Sequence, residues 1–252
     1  MVKRGKAGRL KRNPSPKFWP IHRKELPWVT RPSSGPHSLG KCLTLTLILR
    51  DIIGVAKNRK EATAILSQGK VAIDGKTRRN VDFPVGLMDV IAIPELKKYF
   101  RVLPSHKGLV LQSIDQGQSN FKLARIENIV KLSDGISLAL HDGSNILIKT
   151  SDQENPKEIA YQTFDILKIT LPEKKIIDRI EAKEGNVAII TGGKNIGKSG
   201  RIVEIEKAEA KKRRQLLVVI QNETGARYQT IMDLVFSIGE AQPIILEANS
   251  VV

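Results

Sequence analysis

Residues 192 to 199 read GGKNIGKS, which is G-x-x-x-x-G-K-S, the pattern of a phosphate-cradling P-loop. No other stretch constrains the fold as strongly. A P-loop leads straight into a helix whose first-turn amides face the phosphates. Most of a parallel α/β sheet then follows, commonly ~100 or more further residues. The apolar run Val187-Ala188-Ile189-Ile190 suits the strand before such a loop. What comes after does not suit the helix. Gly200 is followed by RIVEIE, in which Val203 and Ile205 alternate with Glu204 and Glu206, the period of a strand. Only 52 residues remain after Gly200, and no apolar run ending in Asp offers a metal ligand. The segment is therefore expected to form two strands around a glycine-rich loop, and no nucleotide cofactor is expected.

Charge sets the partner class. The chain of 252 residues carries a formal net charge of +16, which attracts polyanions, nucleic acid first among them. It shows no transmembrane-length apolar run, no signal-peptide pattern and no basic amphipathic helix with bulky aromatics, so no membrane partner is expected. Cys42 is the only cysteine, which excludes an intrachain disulfide and a cysteine-rich zinc site and makes an intracellular compartment the default. Residues 1–41 hold eleven cations against Glu25 alone, so +10 of the charge lies there, along with six prolines. Such a segment is expected to be an extended tail that orders only on RNA. Its aromatics Phe18, Trp19 and Trp28 lie amid basic residues, a setting for stacking on bases. Lys3, Arg4, Lys6, Arg9, Lys11, Arg12 and Trp19 are its candidate RNA contacts.

From residue 43 the pattern changes. CLTLTLILRDIIGVA reads as a helix with a broad apolar face. In KNRKEATAILSQG, Asn58 caps, Glu61 completes a capping box, Ala62, Ile65 and Leu66 keep helical spacing, and Gly69 stops the helix. KVAIDGKTRR is a strand with an Asp74-Gly75 hairpin turn, and DVIAIP is a strand ended by Pro94. The helix start favours anions. Lys57, Arg59 and Lys60 surround it, with Lys70, Lys76, Arg78 and Arg79 expected from the strand side. NRKEATAILSQGKVAIDGK resembles the RNA-binding domain named after bacterial small-subunit ribosomal protein four, matching at Arg59, Ala62, Ile65, Gly69, Val71, Asp74 and Gly75.

Residues 95–172 read as short strands: KGLVLQSI, FKLARIENIVKL, ISLALHDG and NILIKT. His141-Asp142 is read as part of a turn rather than as half of a catalytic pair. GNVAIITGGKNIGKSGRIVEIE resembles the KOW motif at Gly185, Val187, Ile189, Gly192, Gly193, Gly197, Gly200 and Ile202. Its glycines allow positive φ and close backbone approach. Lys194, Asn195, Lys198 and Arg201 are then expected to meet RNA phosphates, joined by Lys211, Lys212, Arg213 and Arg214 from the following basic run.

The modules in this order, with SPKFW, TRPSSGPHSLGKCLTL and HDG, resemble the archaeal type of the S-four-e family of small-subunit ribosomal proteins. The expected fold class is α+β. It comprises a basic extended tail (1–41), a small helix–helix–β RNA-binding domain (42–94), a central β-rich domain (95–172) and a C-terminal KOW, SH3-like β-barrel (173–252). The resemblance implies a non-enzymatic constituent of the small ribosomal subunit that is cytoplasmic and ribosome-bound. It would be a monomer there, bind small-subunit ribosomal RNA beside neighbouring ribosomal proteins, and use no cofactor or metal. The alternatives are the RNA-binding subunit of an RNA-modifying enzyme and a KOW-type transcription factor.

Overall fold

The structure, a computed structural model, describes residues 10–133, 135–149, 161–206, 213–222, 224–240 and 242–245. They fall into two compact units. One runs to Leu103 and includes Lys107–Asn120; the other comprises Pro104–His106 and the chain from Phe121 onward.

In the first unit the local signals become structure directly. Asn58 Oδ1 accepts from the Glu61 amide at 2.9 Å, and the Glu61 carboxylate accepts from the Lys57 amide at 2.7 Å. This reciprocal cap opens the helix Arg59–Ser67, which buries Ala62 and Leu66. Gly69, at φ +76°, lies just beyond it. Strands Ala72–Ile73 and Lys76–Thr77 pair as Ala72↔Thr77 and Ile73↔Lys76. Asp74 and Gly75 between them both have positive φ, 51° and 73°, as a type I′ turn demands. Asp74 is held in this conformation by its carboxylate, which accepts from the Val90 amide at 2.9 Å. The sheet continues through Val90–Ile93, Lys98–Ser105 and Gly108–Ile114, so its hydrogen bonding runs past the boundary expected at residue 94.

The helix expected from residue 43 begins later. Cys42–Thr44 is a fully buried strand paired with Pro84–Gly86. Thr44 remains extended, and its hydroxyl accepts from the Leu47 amide, which caps the helical turn Leu45–Leu47. That turn widens into a π-type segment, Ile48–Ile52. A continuous apolar run does not distinguish a buried strand from a buried helix, and here it is both.

The described part of the basic segment also departs from expectation. Leu10–Lys11 pairs antiparallel with Trp28–Val29. Leu10, Phe18, Ile21 and Val29 pack on the core that holds Leu43, Leu47, Leu66, Val71 and Ile91. Trp19 is only 3% exposed and donates its indole N–H to the Cys42 carbonyl at 2.8 Å. Average composition is too polar for this segment to fold alone, yet a few apolar side chains suffice when an adjacent core receives them. Lys3, Arg4, Lys6 and Arg9 lie outside the described residues.

The second unit contains two five-stranded antiparallel sheets. The first has the order Asn145–Lys149, Gly135–Leu140, Phe121–Leu132, Ile166–Thr170, Ile176–Ile180, around Ala124, Ile126, Leu138, Leu140, Leu167 and Ile169. Its last hairpin spans the boundary expected at residue 172. The second has the order Arg227–Ile231, Leu217–Gln221, Ser199–Ile205, Val187–Ile190, Val235–Gly239, around Ala188, Ile190, Ile202, Val218 and Ile220. In hydrogen-bond order this sheet has two ends and is not closed. Ser199, the last residue of the P-loop-like pattern, starts a strand, so the helix that phosphate cradling requires is replaced by sheet. No helix among the described residues is long and apolar enough to cross a membrane.

Candidate nucleic-acid interface

Around the capped helix the cations divide by what they touch. Lys57, Lys60, Lys76 and Arg79 are exposed. Arg59 is also exposed, but its guanidinium pairs with Asp82 at 3.2 Å. That contact joins the helix start to the segment that carries Arg78 and Arg79. Arg78 is half-buried, with its guanidinium 4.5 Å over the Phe83 ring and its amide donating to the Val71 carbonyl. Lys70 pairs with Glu95 at 3.0 Å. The Glu61 carboxylate already occupies the Lys57 amide, so one of the amides at the helix start is not open to a phosphate. The cationic surface here is one of side chains.

The glycine-rich loop between the strands Val187–Ile190 and Ser199–Ile205 turns through Gly193 and Gly197, both at φ +80°. Lys194 is exposed, and so is Arg201 on the outgoing strand. Lys198 Nζ sits 4.0 Å from the Tyr228 ring centroid and 3.3 Å from Asn195 Oδ1, a cation–π contact and a hydrogen bond that orient the ammonium. Gly200 must be glycine for a different reason. A Cβ there would lie 2.2 Å from the Gln221 carbonyl oxygen on the neighbouring strand.

Four expected contacts are engaged within the chain instead. Arg12 is buried, its Nε donating to the Trp28 carbonyl at 3.2 Å and its Nη1 to the His22 carbonyl. Trp19 is core rather than a stacking surface. Arg214 pairs with Glu127 at 3.1 Å, and Arg213 donates to Gln162 with Asp165 at 4.0 Å. Their acidic partners lie 48 to 87 residues away in sequence, too far for local charge patterning to reveal. Lys211 and Lys212 lie outside the described residues. Lys11 is exposed.

The His141-Asp142 pair is structural. Asp142 is buried and accepts from the Ser144 amide at 2.9 Å and from its hydroxyl, closing the turn. It also faces Lys122 Nζ at 3.2 Å, itself buried. Burial alone would raise the Asp142 carboxyl. Lys122 and the two Ser144 hydrogen bonds together outweigh it and hold the carboxyl well below the usual carboxylate range. His141 Nδ1 accepts from the Arg125 amide at 3.1 Å. Cys42 is buried, and desolvation, with a smaller push from Asp89, raises its thiol to about 12. It stays a protonated, inert core residue.

A strand-rich, helix-poor chain with a cation-lined, capped-helix module fits a nucleic-acid-binding class of protein. Three family models match it: Ribosomal family S4e over residues 96–176, the RS4NT (NUC023) domain over 4–40, and the S4 domain over 48–91. The small ribosomal subunit protein eS4 of Staphylothermus marinus is 43% identical, with 97% of each chain covered. That of Desulfurococcus amylolyticus is 42% identical, with 96% of each covered. The crystal structure of the 30S ribosomal protein S4e from Thermoplasma acidophilum superposes with a TM-score of 0.64 at 31% identity, covering 80% of this chain and 96% of that one. The chain belongs to the S4e family of ribosomal proteins.

Proposed function

We propose that this protein is a structural, non-enzymatic constituent of the small ribosomal subunit that binds ribosomal RNA during subunit assembly and translation. The observation that carries the reading is the first module. A reciprocally capped helix and an Asp74-Gly75 hairpin carry Lys57, Lys60, Lys76 and Arg79 exposed, and the Arg59–Asp82 pair joins the helix start to the segment beside Arg79. Such a surface recognises phosphates rather than base sequence. The glycine loop adds Lys194, Lys198 and Arg201 as a second set of phosphate contacts, on a last sheet that we read as an open form of the KOW, SH3-like barrel. The protein acts as a monomer beside neighbouring ribosomal proteins, cytoplasmic and bound to the ribosome. Co-sedimentation tests this directly. In high-salt gradients the protein is expected to travel with small subunits; travel with RNA polymerase instead would favour the KOW transcription-factor reading.

A further inference from the structure

The chain has two tryptophans, and the structure treats them oppositely. Trp19 is 3% exposed, whereas Trp28 is 48% exposed. The ribbon Leu10–Lys11 with Trp28–Val29 explains the difference. Side chains alternate across a strand, and Leu10 and Val29, paired in register, pack on the core. The other register pair, Lys11 with Trp28, faces outward, with the Lys11 ammonium 6.0 Å from the indole centroid.

The ribbon is held from behind. The Arg12 guanidinium binds the Trp28 carbonyl and the His22 carbonyl, and Arg23 donates to the carbonyls of Arg12, Asn13, Ser15 and Pro16. Arg12, buried, and Arg23, half-buried, act as backbone clamps, so the indole is presented on a preorganised support.

We infer that the outward face of this ribbon, Trp28 with Lys11, is a binding site for one unpaired nucleotide of RNA: the base stacks on the indole and Lys11 meets the adjoining phosphate. This rests on the RNA-binding reading and narrows to Trp28 the stacking role that the sequence suggested for Phe18, Trp19 and Trp28. Nearly half of an indole left in water marks a surface meant to be covered. The charge of the segment that carries it selects the occupant. Between residues 10 and 41, Lys11, Lys17, Lys24, Arg31 and Lys41 are exposed against the single acid Glu25. An apolar protein partner would need a wider apolar patch, and here only the short stretch Leu26-Pro27 lies exposed beside Trp28 in the chain. An aromatic plane with a lysine beside it, on a strongly basic segment, fits an unstacked base and its phosphate.

The test uses the full-length protein and two RNA probes, a transcript of small-subunit ribosomal RNA and a poly(U) oligonucleotide. Trp28 dominates solvent quenching of tryptophan fluorescence, because Trp19 is buried. Bound RNA is expected to shield it from acrylamide. Trp28→Leu should weaken binding about 5- to 100-fold with an unchanged salt slope, since stacking releases no counterion. Trp28→Phe should recover most of the loss, and the melting temperature of both variants should match wild type. Wild-type affinity in Trp28→Leu, with Trp28 still open to acrylamide on the bound transcript, overturns the site and leaves RNA binding standing. Shielding of Trp28 only within whole subunits, and not on RNA alone, assigns the face to a protein and also overturns it. Failure of the wild-type protein to bind either RNA rejects the functional reading itself.

Discussion

Single residues here do opposite things with the same chemistry. Arg79 faces water, while Arg12 is spent on two backbone carbonyls and Arg78 lies on a phenyl ring. The sequence shows three arginines in basic runs and cannot rank them, because burial depends on which residues lie opposite after folding. Two predictions belong at this scale. Cys42 is expected to react with thiol reagents only on unfolding, because burial keeps its thiol protonated up to about 12; labelling of the native protein at pH 8 at the rate of a free thiol would contradict this. Replacing Asp142 with Asn should leave Lys122 buried without its carboxylate and cost about 3–5 kcal/mol at pH 7. The folded Asp142 carboxyl is depressed, so its stabilisation is present above the unfolded value near ~4 and is lost as the pH falls below it. The difference between wild type and variant in urea unfolding should therefore shrink from pH 7 to pH 3. A constant difference would mean that the carboxylate's charge is not what the Lys122 site uses.

At the scale of elements, legibility followed the locality of the signal. The helix at Arg59–Ser67 and the hairpin at Asp74-Gly75 rest on caps and turn residues within five positions of each other, and both were readable. So was the strand after Ser199, from the alternation of Val203 and Ile205 with glutamates. The strand Cys42–Thr44 was not, because its partner Pro84–Gly86 lies some forty residues on and its apolar run also fits a helix. Lys98–Ser105 was likewise unread, because Arg101 and Pro104, both of which end up buried, interrupt its apolar run. The docking of Trp19 was hidden by the charge around it. Gly200 offers the sharpest test of an element. Because its missing Cβ points at the Gln221 carbonyl 2.2 Å away, Gly200→Ala must push apart the strands Ser199–Ile205 and Leu217–Gln221. A loss of about 1–3 kcal/mol in thermal or urea unfolding is expected. Gly185→Ala, at a site with open space but positive φ, should cost no more than that. Equal stability of Gly200→Ala and wild type would show that the two strands do not approach as described.

For the whole molecule, we propose a scaffold whose cations are divided between holding the chain together and facing RNA. Arg12, Arg213 and Arg214 belong to the first group by their contacts, and Lys57, Lys60, Lys76 and Arg79 to the second by their exposure. Binding built from many phosphate contacts has a steep dependence on salt, and each contact contributes its own share of the slope. The most direct measurement is therefore the salt dependence of affinity for small-subunit ribosomal RNA, in wild type and in the double variant Lys60→Ala with Arg79→Ala. Each lost contact should flatten the slope of log affinity against log salt by about 0.7 to 0.9. Exposed substitutions of this kind leave folding within about ±0.5 kcal/mol, so the melting temperature should stay put. The account predicts weaker binding, a slope flatter by the contribution of two contacts, and an intact fold. An unaltered slope in a folded double variant would contradict it, because the face that carries Lys60 and Arg79 would then not be the one that meets RNA.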